Sequence, residues 1–211
     1  MADGTGAARL GIFGGAFDPI HNGHLFIAEA VRVEIGLERV LFVPNREGRH
    51  REPAIAPAAD RAAMIRHAIA ANPALGLDET ELEPDASGYT VDLLPRLRRR
   101  YPDAELTFIA GGDSLVRSPW RGLDQVLTQL AEFVVAPRGT VSRTDLDAAL
   151  AHLDAPLRNK VRLLDLPLIA ASATLVRDRL AAGKSIRYLV PEPVYRHIEE
   201  VGLYRPLTAP T

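Results

Sequence analysis

Gly14-Gly15-Ala16-Phe17-Asp18-Pro19-Ile20-His21-Asn22-Gly23-His24 is the stretch on which the reading of this chain turns. The apolar run Arg9–Phe13 before it has the length and character of a short buried strand. After it, Ala28, Val31 and Ile35 recur at helical spacing over Leu25–Ile35, and Gly36 follows as a stop. The stretch is therefore a glycine-rich turn from strand to helix. Gly14 and Gly15 let a backbone approach a ligand closely. Gly23 stands at the helix start, where free N–H groups and the helix dipole attract anions. His21 and His24, three residues apart around that start, can both face one site. Two imidazole donors beside a helix N-terminus suit a phosphate oxygen that gains charge during a reaction. Two plainer readings stay open: a zinc pair, which would need a third ligand, and one histidine serving as a structural cap.

Outward from this turn, apolar runs alternate with helical patterns. Strands are predicted at Val40–Val43, Leu75–Leu82, Leu106–Ala110, Phe133–Ala136 and Val161–Leu166. Helices are predicted at Ala58–Ala71, Thr90–Arg100, Leu123–Leu130, Leu146–Leu153, Ala173–Ala182 and Pro191–Val201, with Pro95 a kink or an early-turn residue in the second of these. Such alternation gives an α/β fold, a doubly wound parallel sheet with helices on both faces. Ligands then bind beyond the carboxyl ends of the strands. The loops to inspect are residues 14–22, 44–57, 111–120 and 167–172. The dense basic run Arg96, Arg98, Arg99, Arg100 reads as a solvated helix end, with a phosphate or partner patch as the alternative.

The 211 residues include 47% hydrophobic and 25% charged positions, enough for one full core without staples. The division is residues 1–8 as a flexible N-terminus, 9–204 as one domain and 205–211 as a tail. No cysteine is present, which excludes disulfides, thiolate metal sites and a cysteine nucleophile. A net charge of -2 argues against a nucleic-acid partner. Met1–Ala8 lacks an apolar signal core, and no run approaches the roughly 20 apolar residues of a membrane helix. The expectation is a cytoplasmic protein with no membrane partner; homo-oligomer formation is left open.

A second chemical segment is Ser172-Ala173-Thr174-Leu175-Val176-Arg177. Ser172 suits an N-cap, and Thr174 and Arg177 then share a helix face. A hydroxyl, a guanidinium and a helix N-terminus on one face can grip a polyphosphate; an ordinary capped helix with an exposed arginine is the plainer alternative. Trp120, the single tryptophan, is either a packing residue or a stacking wall for a heteroaromatic ring. Asp113 either caps the turn after Gly111-Gly112 or accepts a ribose hydroxyl. Arg138 is either a surface charge or a ligand contact.

The G-G-x-F-D-P-x-H-x-G-H stretch resembles the first signature of the H-x-G-H nucleotidylyltransferase superfamily, and residues 172–177 resemble its I-S-S-T-x-x-R signature, with Ala173 where a second serine is common. Ser87-Gly88-Tyr89-Thr90-Val91-Asp92, the Gly111-Gly112-Asp113-Ser114…Trp120 element and residues 185–204 resemble the bacterial nicotinate-nucleotide adenylyltransferases. Two departures stand out. Pro44-Asn45-Arg46-Glu47-Gly48-Arg49-His50-Arg51 occupies the place of a Pro-Pro-His-Lys element, and Arg138-Gly139 lacks a proline found in the family.

The resemblance implies a Rossmann-like nucleotidylyltransferase domain that joins ATP and nicotinate mononucleotide into deamido-NAD and pyrophosphate by direct in-line attack. It implies His21, His24, Thr174 and Arg177 as catalytic residues. Gly14, Gly15, Phe17, Gly23, Gly112, Asp113 and Ser172 would bind ATP. Trp120, Tyr89, Thr90, Asn45, Arg51 and Arg138 would bind the mononucleotide. Magnesium would arrive mainly on the ATP phosphates, with no metal site of the protein's own. Another transferase of the superfamily, acting on nicotinamide mononucleotide or phosphopantetheine, and a non-catalytic nucleotide-binding module are the alternatives.

Overall fold

The computed structural model describes residues 7–46, 53–117, 120–136, 141–167 and 169–205. The chain runs β1 (Arg9–Gly15), α1 (Asn22–Ile35), β2 (Arg39–Pro44), α2 (Ala58–Ile69), β3 (Leu75–Leu77), a 3-10 turn (Thr80–Leu82) and α3 (Thr90–Arg100). It continues through β4 (Glu105–Gly111), α4 (Gly112–Arg117), α5 (Leu123–Thr128), β5 (Glu132–Ala136), α6 (Arg143–Leu150), α7 (Ala155–Arg158), β6 (Val161–Leu163), α8 (Ala173–Ala181) and α9 (Glu192–Val201). The strands form one parallel sheet in the order β3-β2-β1-β4-β5-β6. The fold is the expected Rossmann-like α/β architecture, and the strand order reverses direction between β1 and β4.

Two cores follow from the alternation of side chains along each strand. Leu10 and Ile12 of β1, Phe108 of β4 and Phe133 of β5 pack with α3, α5 and α6. Phe13, Ile109 and Val134, on the opposite face, pack with α1, α2, α8 and α9. Both faces are covered, so the central strands read as continuous apolar runs. Helix α1 ends where Gly36 takes a left-handed conformation, φ 67°, and its N–H returns to the carbonyls of Arg32 and Val33.

Three local differences from the sequence expectation have physical causes. The strand expected over Leu75–Leu82 stops at Leu77 because the Asp78 carboxylate captures the Thr80 N–H at 2.9 Å and turns the chain. Its other oxygen accepts the Tyr101 hydroxyl at 2.9 Å. The 111–120 loop contains α4, six residues too short to show a helical period. The basic end of α3 is largely committed: Arg96 pairs with Glu83 and Asp85, Arg98 donates to the Gln129 carbonyl, and Arg100 lies 3.4 Å from Asp78. Pro95 lies inside α3, where it lacks an N–H to return to the preceding turn. Of the expected N-terminal segment, Ala8 already pairs through its carbonyl with the Glu105 N–H at 2.8 Å. Residues 1–6 and 206–211 lie outside the described residues.

Candidate active site

A cavity of about 510 Å³ opens at the carboxyl ends of β1, β2, β4 and β5, over the point where the strand order reverses. The two glycines ending β1 form part of its floor. A Cβ on Gly14 would lie 3.1 Å from the Phe108 ring, a tight contact that would require the ring to shift by a few tenths of an ångström. Phe17 is 2% exposed with φ 50°; its ring meets Phe13, Phe42 and His24 edge-on.

His24 lines the cavity, and its Nδ1 accepts the His21 backbone N–H at 3.3 Å. With Nδ1 occupied as acceptor, a neutral imidazole carries its proton on Nε2. His24 thus presents a fixed donor beside the N-terminus of α1. His21 is placed differently from the expectation that both rings face the site. It is 1% exposed and stacks on His24, with centroids 3.6 Å apart and planes 23° apart. The cavity surface is made by His24, with His21 packed against it. Gly23 is not among the residues that line the cavity. A Cβ there would meet the His21 ring at 3.0 Å and the Ala171 carbonyl at 3.3 Å, so the residue serves close packing. Gly112 packs against Val141 in the same way, and Gly111 lines the cavity in its stead.

Helix α8 supplies the other wall of this end. Ser172 caps it, Oγ accepting the Leu175 N–H at 3.0 Å. Thr174 and Arg177 follow on the cavity side. Arg177 Nη1 donates to the Asp18 carbonyl at 2.7 Å, and Nη2 lies 3.4 Å from Thr174 Oγ1. Sequence spacing brings Thr174 and Arg177 together; only the fold brings them to the first turn.

Sequence reasoning missed the network beneath. Asp18 is 5% exposed, and its carboxylate accepts the N–H groups of Ile55 and Ala56 and the Tyr204 hydroxyl, at 2.7, 3.0 and 2.7 Å. Burial, then the charge of Asp18 and this bond, hold the Tyr204 hydroxyl well above its ordinary pKa. Arg61, 1% exposed, donates to the carbonyls of Ala16, Arg46 and Ala56 at 2.6, 3.0 and 3.2 Å. Burial lowers its pKa, and the charges of Asp18 and Tyr204 oppose that shift. The available signal was Asp18 inside the opening stretch. Arg61 looked like any helix-surface charge, since its burial is set by residues 15 and 45 positions away.

At the far end Trp120, Tyr89, Thr90, Asn45 and Glu81 line the space. Trp120 is a packing residue that also faces the cavity. Its ring packs edge-on against Phe108 and Phe133, its Nε1–H donates to the Ser114 carbonyl at 3.0 Å, and it still forms cavity surface. Tyr89 is the N-cap of α3 and carries the Arg121 guanidinium 4.9 Å over its ring. The N-terminus of α3 opens here, offering backbone N–H donors and the positive end of a helix dipole. Glu81, missed by sequence reading, is 4% exposed; burial pushes its carboxyl up to about 7.

The side chain of Asp113, in the first turn of α4, lies outside the described residues, as do Arg51 and Arg138. Among the described residues no group of three metal-ligating side chains comes together, and no helix is long and apolar enough to cross a membrane. Asp18, the carboxylate in the same glycine-rich turn as His24, has both oxygens engaged by the protein.

A family model described as cytidylyltransferase-like matches residues 12–179. A relative from Symbiobacterium thermophilum, named "Probable nicotinate-nucleotide adenylyltransferase", is 43% identical over 202 residues, 93% of this chain and 95% of that one. A relative of the same name from Thermomicrobium roseum is 42% identical over 204 residues, 96% of this chain and 94% of that one. The chain belongs to the nicotinate-nucleotide adenylyltransferase family. At 19% identity, the Plasmodium falciparum nicotinic acid mononucleotide adenylyltransferase, solved with NaAD, shares the fold with a TM-score of 0.69, over 93% of this chain and 97% of that one. Against the signatures of the nicotinate-nucleotide adenylyltransferases, the matching residues His24, Thr174 and Arg177 meet at one end of the cavity, and Tyr89, Thr90 and Trp120 at the other. Of the departing element after β2, Asn45 reaches the cavity.

Proposed function

We propose that the protein transfers the adenylyl group of ATP to nicotinate mononucleotide, releasing pyrophosphate and forming deamido-NAD. One observation carries this reading: a single cavity joins a phosphate-type end, with His24, Thr174 and Arg177, to an aromatic end bounded by Trp120 and Tyr89. An oxygen of the mononucleotide phosphate attacks the α-phosphorus of ATP. The bond from that phosphorus to the bridging oxygen breaks, and pyrophosphate leaves with the electron pair. The residue inventory holds no cysteine, and positioning plus charge stabilisation suffice for such a step.

In this reading His24 donates from Nε2 to an α-phosphate oxygen, and His21 fixes the plane of that ring by stacking on it. Thr174 and Arg177 hold the departing pyrophosphate, with Asp18 anchoring the guanidinium through its carbonyl. Ser172 presents the start of α8, and Gly14 and Gly15 admit the nucleotide close to β1. Magnesium enters as the ATP complex, carried by phosphate oxygens and water. Trp120 stacks on the pyridine ring while Tyr89 and Thr90 bring the α3 N-terminus to its carboxylate.

The test is turnover with competing acceptors. Pyrophosphate release is measured with ATP, magnesium and either nicotinate or nicotinamide mononucleotide at neutral pH. The amide presents an NH₂ to backbone donors and leaves one unpaired, costing about 1–3 kcal/mol, so the expected kcat/KM preference for the acid is about tenfold to a hundredfold. A ratio near one, or one favouring the amide, rejects the acid as substrate.

A further inference from the structure

The aromatic end of the cavity holds a carboxyl group that a site for an anionic ring should not contain. Glu81 sits in the 3-10 turn after β3, is 4% exposed and lines the cavity. Its Oε1 is buried with no hydrogen-bond partner among the described residues, and so is Oδ1 of Asn45. The two residues are held side by side, because the Arg46 N–H donates to the Glu81 carbonyl at 3.1 Å. The Gly88 backbone N–H, in the segment that leads into Tyr89 and Thr90, favours the ionised Glu81 carboxyl and so works against burial. Two buried, unpartnered oxygens on residues that line the same cavity call for a donor, since a buried acceptor left without one is costly. Nicotinate brings only a carboxylate to that end. The conflict disappears when Glu81 itself carries the proton.

We propose that Glu81 tunes specificity for the substituent on the pyridine ring, admitting the carboxylated ring best when its own carboxyl is protonated and discriminating less against the amide when it is ionised. The inference rests on the adenylyl-transfer reading above and deepens it. In the protonated form the O–H donates to Asn45 Oδ1 or to the ring carboxylate, and like charges do not meet. In the ionised form the carboxylate repels the acid and accepts from the amide NH₂. The surrounding charges leave this balance close to neutrality. Burial is the main cause of the raised pKa; Arg96 of α3 opposes it and Asp92 of the same helix adds to it. Arg96 is shared with Glu83 and Asp85, Arg121 lies 3.9 Å from Asp92, and the Arg46 side chain is turned to the Pro84 carbonyl. No lysine or arginine forms an ion pair with Glu81 among the described residues.

The experiment compares kcat/KM for nicotinate and nicotinamide mononucleotides across neutrality. Both substrates carry the same phosphate, so its titration cancels from their ratio. The acid-over-amide ratio is expected to fall roughly tenfold between about pH 6 and about pH 8, following loss of the Glu81 proton. In Glu81→Gln the side-chain amide has nearly the same shape and cannot ionise, so the ratio should be flat. A parallel measurement uses the mononucleotides alone in calorimetry at neutral pH: the acid should take up a proton on binding to the parent and none on binding to the variant. A flat parent profile, or the same slope in both proteins, overturns the role. Should the variant not fold, the parent's own profile and proton uptake decide. If neither mononucleotide supports pyrophosphate release, the adenylyl-transfer reading fails by itself, and proton uptake on binding still judges Glu81.

Discussion

At the His24 end of the cavity the buried charges are already answered by the protein: Asp18 accepts three donors and Arg61 serves three carbonyls. At the Glu81 end, two residues that line the cavity, Glu81 and Asn45, each bury an oxygen with no partner among the described residues. The first end is preorganised, so that donors aimed at a developing charge need not move when it forms. The second is left incomplete, and a ligand or a proton must complete it. In the proposed reading, rate and choice are therefore assigned to different parts of one cavity.

The sharpest way to break that contrast is to remove the support from the preorganised end. Arg61→Met keeps volume but strips the carbonyls of Ala16, Arg46 and Ala56 of their donor and leaves Asp18 without its buried countercharge. Stability should fall by about 3–5 kcal/mol, read as a lower denaturation midpoint. A loss below about 1 kcal/mol would mean that the end is not held by this network. Next comes chemistry without support: His24→Ala should slow the chemical step by roughly 10²–10³ while ATP binding changes far less. Single-turnover kinetics separate the two, and equal rates in both proteins would remove His24 from the reaction. The smallest effect belongs to the choosing end. Trp120→Ala should weaken both mononucleotides by a similar factor, about tenfold, because stacking does not distinguish acid from amide. A change confined to one substrate would show that Trp120, and not Glu81, reads the ring substituent.

The strand–turn–helix at residues 9–35 was legible because a continuous apolar run, glycines, helical periodicity and histidine spacing all lie within one segment. So was the cap at Ser172, whose bond to Leu175 is local. Arg61, Tyr204 and Glu81 were not. Arg61 has the composition of a helix surface, and its burial arises from chain turns far away in sequence. Tyr204 reaches Asp18 across 186 positions. Glu81 was hidden inside a stretch that reads as a strand, and one carboxylate, Asp78, bends that stretch into the turn that aims Glu81 inward. The relation of His21 to His24 was half legible: their spacing sets them on one helix start, but which ring faces the cavity depends on packing by Gly23 against Ala171.

By itself the sequence determined the alternation of strands and helices, the sheet class and the two signature segments, because these depend on periodicity and on residues close together in the chain. Tertiary structure alone decided which imidazole is presented, which arginine is buried and where an acidic proton is held. Those outcomes depend on desolvation and on partners supplied from distant segments, and neither quantity exists until the chain has folded.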